Sequence, residues 1–201
     1  MAEVKLEDGE CRSNLMRAQW LRAAILGAND GLLSTTSLML GVGTAKEDRS
    51  LMILSGVAGA VAGACSMAVG EFVSVSTQRD IEDTNMNKLS VECEDVKIQE
   101  SIKHPLLPGL PNPYKAAGAS ALAFLCGSLV PIVSALVFSR HGIRYIAMVV
   151  VTSLALLLFG GVGARLGGSP VRISALRVLV GGWISMALTY GLLMLLDKDR
   201  H

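Results

Sequence analysis

Long apolar segments alternate with short charged ones along this chain of 201 residues. Four of the segments contain charge-free runs, at 51–70, 116–139, 145–164 and 178–196. Each run approaches or exceeds the length of about 20 apolar residues that a helix needs to cross a bilayer. A fifth segment is as long but contains Arg22 and Asp30. The pattern predicts an all-α membrane protein with five transmembrane helices, over about 21–45, 51–76, 116–139, 145–164 and 176–196.

The basic residues predict how these five helices are oriented, because cytosolic loops carry an excess of Lys and Arg. Of the 18 Lys and Arg residues, twelve fall on one side of the predicted membrane. The other six are Lys46, Arg49, Arg140, Arg144, Lys198 and Arg200. The N-terminal segment 1–20 and the linker 77–114 are therefore expected in the cytosol, and the tail 197–201 in the lumen.

The linker 77–114 is the only sizeable polar stretch between the predicted spans, and it has two parts. Acids and bases alternate over 78–103, which is expected to extend the second helix into the cytosol. Four prolines follow within 104–113. Since proline lacks an amide donor and disfavours helix in the preceding residue, this part is expected to be an extended connector.

Composition narrows the class of protein further. Hydrophobic residues make up 51% of the chain and charged residues only 17%, whereas a soluble domain carries about 25% charged residues. The formal net charge of +1 gives no support to nucleic-acid binding, which needs a concentrated basic face. The sequence contains no nucleophile–base pair or multi-histidine motif, so neither an enzyme nor a permanently bound cofactor is expected.

Asp30 is the residue least compatible with a lipid environment. It follows the predicted start of the first span by nine residues, which corresponds to a depth of roughly 14 Å at 1.5 Å per residue. A charge that deep is costly and is usually retained for function. The second span runs in the opposite direction, and counting back from residue 76 places Met67 at the same depth. Glu71 lies one helical turn nearer the cytosol on the same face as Met67.

Asp30, Met67 and Glu71 are therefore the candidate metal ligands. The nearby polar residues, as candidates for lining the same path, are Asn29, Ser34, Thr35, Ser37 and Ser66. Carboxylate and hydroxyl oxygens suit a hard divalent cation, and a thioether biases the site toward a transition metal. Such a weak, open site favours transport over structural binding, and a carboxylate can exchange a proton for the metal. Glycines expected to pack helices closely are Gly59, Gly63 and Gly70.

Three motifs resemble those of the vacuolar iron transporter family, and in detail those of its plant homologues, the nodulin-21-like proteins. They are ANDGLLST at 28–35, AGACSMAVGEFVSVSTQRD at 62–80 and NPYKAA at 112–117. The resemblance implies a homodimer in the vacuole membrane that moves ferrous iron out of the cytosol in exchange for protons. It also implies that Asp30 and Met67 line an ion path along the protomer interface, and that the glycine seam serves dimer packing. Full transporters of the family carry a longer, glutamate-rich domain where this chain has the linker 77–114.

Two alternatives remain open at the level of sequence. Oxygen and thioether ligands admit manganese or a broader set of divalent metals as well as iron. A different class of function is a non-transporting, metal-responsive membrane scaffold that binds metal or a partner through the linker. The expected partners are in every case a divalent metal ion, membrane lipid and a second copy of the chain.

Overall fold

The computed structural model describes residues 2–46, 48–92, 112–138, 140–168 and 170–198. These residues form five helices, which are α1 (Ala2–Lys46), α2 (Arg49–Glu92), α3 (Pro113–Val137), α4 (His141–Leu166) and α5 (Val171–Lys198). The predicted all-α fold with five helices is confirmed. Most of the second part of the linker, up to residue 111, and the last three residues of the predicted lumenal tail lie outside the described residues.

Four of the five helices are long and apolar enough to cross a membrane, and α1 is not among them. The four segments are Arg49–Asn85, Pro113–Val137, Gly142–Leu166 and Val171–Leu192. The reason lies in the position of α1, which packs against each of the other four helices. From residue 27 to residue 45, every side chain of α1 except Ser34 is at least partly buried. Polar residues of helices in membrane bundles face the protein interior and not lipid, so an enclosed helix can be less apolar than its neighbours.

The second helix is much longer than a membrane crossing requires. It has 44 residues, or about 66 Å at 1.5 Å per residue, against a hydrocarbon core of about 30 Å. The helix continues through the charged residues beyond position 77 and ends at Glu92. The predicted extension of this helix into the first part of the linker is confirmed as far as that residue.

Helices α1 and α3 approach each other at glycines. A Cβ atom at Gly27 would collide with the backbone of Ser120, and one at Gly31 with the backbone of Phe124. Gly127 makes the reciprocal close approach from α3 to the backbone of α1. Small residues at such contacts allow the van der Waals packing that holds membrane helices together.

Hydroxyl groups link α1 to its neighbours in the buried interior. The Thr35 hydroxyl donates to Ser128 Oγ of α3 over 2.9 Å. The Ser128 hydroxyl in turn donates to the Phe124 carbonyl oxygen of its own helix over 2.9 Å, and Ser128 Oγ lies 3.2 Å from the Gly31 carbonyl oxygen of α1. On another side of α1, the hydroxyls of Thr36 and Thr152 of α4 are 3.0 Å apart. These bonds satisfy polar groups that have no access to water and fix how α1 is rotated in the bundle.

Both ends of α3 are capped, which explains its length. Asn112 accepts hydrogen bonds from the first backbone N–H groups, and a proline occupies the first turn. At the other end, Arg49 donates to the Leu136 carbonyl over 2.6 Å and Arg144 to the Phe138 carbonyl over 3.0 Å. Cations favour the carbonyl end of a helix. The third span was expected to reach residue 139, but the helix ends at Val137, next to the carbonyl groups that these arginines bind.

Candidate functional site on helices α1 and α2

Asp30 lies on the one face of α1 that its neighbours leave open. This face carries one residue in every four, namely Arg22, Leu26, Asp30 and Ser34. Asp30 is half-buried, whereas the other three side chains are exposed. The Ser34 hydroxyl donates a hydrogen bond of 2.8 Å to Asp30 Oδ1. The carboxylate therefore stands at an opening in the bundle and not in its closed core.

Met67 and Glu71 lie on the inward face of α2. Both are half-buried, and they continue a stripe that begins with buried Ala60 and Ala64 and ends with buried Val75. Residues at alternating intervals of three and four share one side of a helix. The thioether and the carboxylate of α2 therefore lie on the side of the helix that packs against the rest of the protein.

The packing of α1 against α2 gives the relative depth of Asp30 and Met67. Three close contacts set the antiparallel register, and they pair Leu38 with Gly59, Met39 with Gly56 and Gly43 with Met52. Asp30 lies eight residues before Leu38, and Met67 lies eight residues after Gly59. Eight residues of helix correspond to about 12 Å along the helix axis. Because the two helices are antiparallel, Asp30 and Met67 lie at the same height in the bundle. The depth predicted by counting along the sequence agrees with this register.

Phe124 of α3 packs against both α1 and α2 near Asp30 and Met67, and it was not among the candidate residues. A Cβ atom at Gly63 of α2 would collide with the Phe124 ring, and one at Gly31 of α1 with the Phe124 backbone. The side chain is 2% exposed. The Phe124 ring therefore packs against α2 at Gly63, one turn from Met67, while the Phe124 backbone packs against α1 at Gly31, the residue after Asp30. The only signal in the sequence was the pair of glycines that makes room for it.

The candidate path-lining residues do not share one surface. Thr35 is 1% exposed and bonds to α3, so it belongs to the α1–α3 contact. Ser37 Oγ and Asn29 Oδ1 are buried and have no hydrogen-bond partner among the described residues. Ser34 and Ser66 are exposed. Ser34 alone among the five makes a hydrogen bond to the Asp30 carboxylate.

The three candidate packing glycines have different surroundings. A Cβ atom at Gly59 would meet the Leu38 side chain, and one at Gly63 would meet the Phe124 ring, so both glycines pack within the chain. At Gly70 the added atom would have nothing within 4 Å. Gly70 thus lies on an open face of α2.

The donor set consists of two carboxylates and one thioether. Within the part of the chain that the structure describes, no three or more His, Cys, Asp or Glu side chains come together as a metal site. Carboxylate oxygens bind hard divalent cations, and the sulfur of Met67 adds a soft donor. What the described residues offer a cation is therefore a few separate donors along two helices.

The fold defines a class, that of a multi-pass helical membrane protein. Its central helix α1 presents a half-buried carboxylate, Asp30, on the face that its neighbours leave open. Comparison with known proteins identifies the family. The model of the VIT family matches residues 21–107 and 92–194. The chain therefore belongs to the VIT family.

Several plant proteins are similar to this chain over most of their length. It is 53% identical over 180 residues to vacuolar iron transporter homolog 2 of Arabidopsis thaliana, covering 90% of this chain and 86% of that one. It is 49% identical over 194 residues to VIT-like transporter 1b of Glycine max, with 96% and 83% covered. It is also 49% identical over 179 residues to vacuolar iron transporter homolog 5 of Oryza sativa subsp. japonica, with 89% and 81% covered.

Proposed function

We propose that this protein transports ferrous iron from the cytosol into the vacuole in exchange for protons. Its relatives are named as vacuolar iron transporter homologues and a VIT-like transporter. The observation that carries the proposal is the half-buried Asp30 on the open face of the central helix, hydrogen-bonded to Ser34. Helix α1 then serves as the fifth membrane-crossing helix, enclosed by the other four.

The proposed route begins at Glu71 and continues to Asp30 and Met67. Glu71 is one helical turn, or about 6 Å, from Met67 on the same face of α2. Carboxylate oxygens hold ferrous iron while the thioether favours it over magnesium or calcium. Because only a few donors meet the ion, it binds weakly and leaves readily. Protons compete with metal for the same carboxylates, which couples metal movement to a pH gradient.

A homodimer completes this route. One face of α2 carries small residues at every fourth position, all exposed: Ala58, Ala62, Ser66, Gly70 and Ser74. Small residues at this spacing let membrane helices approach closely. A second copy packed on this face covers it and brings its own α2 beside the opening at Asp30. The ion path then runs between the protomers.

The proposed location is the vacuole membrane, with the N-terminal segment in the cytosol. The twelve-to-six distribution of basic residues supports this orientation. A protease-cleavable tag placed after His201 is then protected from protease added outside intact vacuoles, and it is cleaved only after the membrane is permeabilised. Cleavage in intact vacuoles would reverse the orientation.

The transport proposal is tested with purified protein in liposomes. Uptake of ferrous iron is measured with and without an imposed pH gradient. Asp30→Asn is expected to reduce uptake by more than tenfold, because the amide loses the charge that holds a cation. Met67→Leu removes the sulfur at nearly constant volume and is expected to reduce uptake of iron more than uptake of magnesium.

Matched controls separate loss of the site from loss of a charge or a thioether elsewhere. Asp83→Asn changes an exposed carboxylate on the extension of α2, and Met194→Leu an exposed methionine on α5. Both are expected to transport like the parent. If Asp30→Asn and Met67→Leu also transport like the parent, the site assignment is wrong. Uptake of ferrous iron in the presence of excess manganese tests the metal preference. If manganese competes as well as iron does, the protein is a broader divalent-metal transporter. Failure to move any divalent metal would favour the scaffold.

A further inference from the structure

We propose that Ser34 is a positioning residue, which holds the Asp30 carboxylate in the orientation that receives the cation. This inference rests on the proposed transport function. It concerns the single hydrogen bond that the structure shows at Asp30, in which the Ser34 hydroxyl donates to Oδ1 over 2.8 Å.

The hydrogen bond of Ser34 differs from those that several other helical hydroxyls of this protein make to the backbone of their own helix. Serine and threonine within helices commonly donate to the backbone carbonyl one turn earlier. That arrangement occurs here at Thr36, Thr44, Ser153 and Thr189. Ser34 has the same option but donates to the side chain of Asp30. A hydroxyl has one proton, so this proton is committed to the carboxylate.

The position of Ser34 explains why this bond affects the ion. Between residues 27 and 45 it is the only exposed side chain of α1, and it follows Asp30 by one turn on the same open face. With Oδ1 engaged by Ser34, the carboxylate is held against its own helix and Oδ2 remains for the cation. The Ser34 oxygen keeps its lone pairs beside the same opening.

A fixed carboxylate binds a cation more tightly than a mobile one, because less side-chain freedom is lost on binding. Removal of the hydroxyl is therefore expected to weaken the capture of iron while leaving the translocation step intact. Since hydrogen bonds to charged groups are among the stronger ones, we expect the KM for ferrous iron to rise about tenfold in Ser34→Ala. The turnover number kcat should change by less than about twofold, because each bound ion still meets the same carboxylate.

The experiment compares four variants in liposomes by the dependence of initial uptake on ferrous iron concentration. Ser34→Ala removes the hydroxyl. Ser34→Thr and Ser34→Val are nearly identical in shape, but only threonine retains the hydroxyl. Ser55→Ala is the control, since the half-buried Ser55 hydroxyl donates to the Met52 carbonyl of its own helix.

The expected result is a raised KM in Ser34→Ala and Ser34→Val, and a KM near that of the parent in Ser34→Thr and Ser55→Ala. If Ser34→Ala does not fold, the threonine–valine pair gives the same comparison. Equal KM values for threonine and valine would overturn the positioning role, and so would a loss confined to kcat. In either case transport by the parent and its loss in Asp30→Asn would leave the proposed function standing. If the parent moves no iron, both proposals fail.

Discussion

Replacing Gly31 with alanine is expected to force α1 away from α3. The added Cβ atom would lie 2.8 Å from the carbonyl carbon and 2.9 Å from the Cα atom of Phe124, and closer still to its carbonyl oxygen. These are backbone atoms of a helix, so they do not move aside as a flexible side chain would. The two helices must therefore separate, and the hydrogen bonds between them lengthen.

The size of the effect follows from these contacts. Overpacking a well-packed site costs about 1–3 kcal/mol. The hydrogen bond from Thr35 to Ser128 crosses the same contact, and Ser128 Oγ lies 3.2 Å from the Gly31 carbonyl oxygen. An interhelical hydrogen bond in a membrane protein contributes on average about 0.6 kcal/mol. The total destabilisation is then about 2–4 kcal/mol, which at about 2–4 °C per kcal/mol lowers Tm by about 4–16 °C for a chain of this length.

Thermal unfolding of the purified protein in detergent, followed by tryptophan fluorescence, measures this shift. Gly118→Ala is the matched control on α3, because a Cβ atom there would have nothing within 4 Å. That control is expected to be neutral or to gain up to about 1 kcal/mol from helix propensity. If the two variants have the same Tm, the close approach at Gly31 does not stabilise the bundle.

Two further substitutions test the remaining features of the site. Phe124→Ala removes the ring that lies against Gly63 and is expected to cost about 3–5 kcal/mol. Its Tm is expected to be lower than that of Phe124→Leu. Equal Tm values would mean that the packing of this side chain against α2 does not stabilise the bundle. Gly70→Leu is expected to separate the proposed homodimer, measured by size-exclusion chromatography with light scattering, whereas Gly118→Leu at an equally open position is expected to leave it intact. A dimer that survives Gly70→Leu would place the interface elsewhere.

The helices and the candidate site residue Asp30 were accessible from the sequence because both depend on local properties. Charge-free runs of membrane-spanning length fix where helices form, whatever surrounds them. Asp30 attracts notice because a carboxylate within such a segment is costly. The depth of Met67 followed from counting residues along two antiparallel helices of constant rise, and the register at Leu38 and Gly59 agrees with that count.

Which side chain of a polar run faces the opening was decided only by tertiary packing. Consecutive residues of a helix point about 100° apart, so the hydroxyls of Ser34 and Thr35 face different neighbours even though their sequence context is the same. Thr35 bonds to α3, while Ser34 bonds to Asp30 on the open face. Hydrophobic periodicity gives the length of a helix and not the identity of the helix beside it. The sequence alone therefore determined where the helices form and that α1 carries a carboxylate, and the packing of four apolar helices around α1 determined which of its faces remains open.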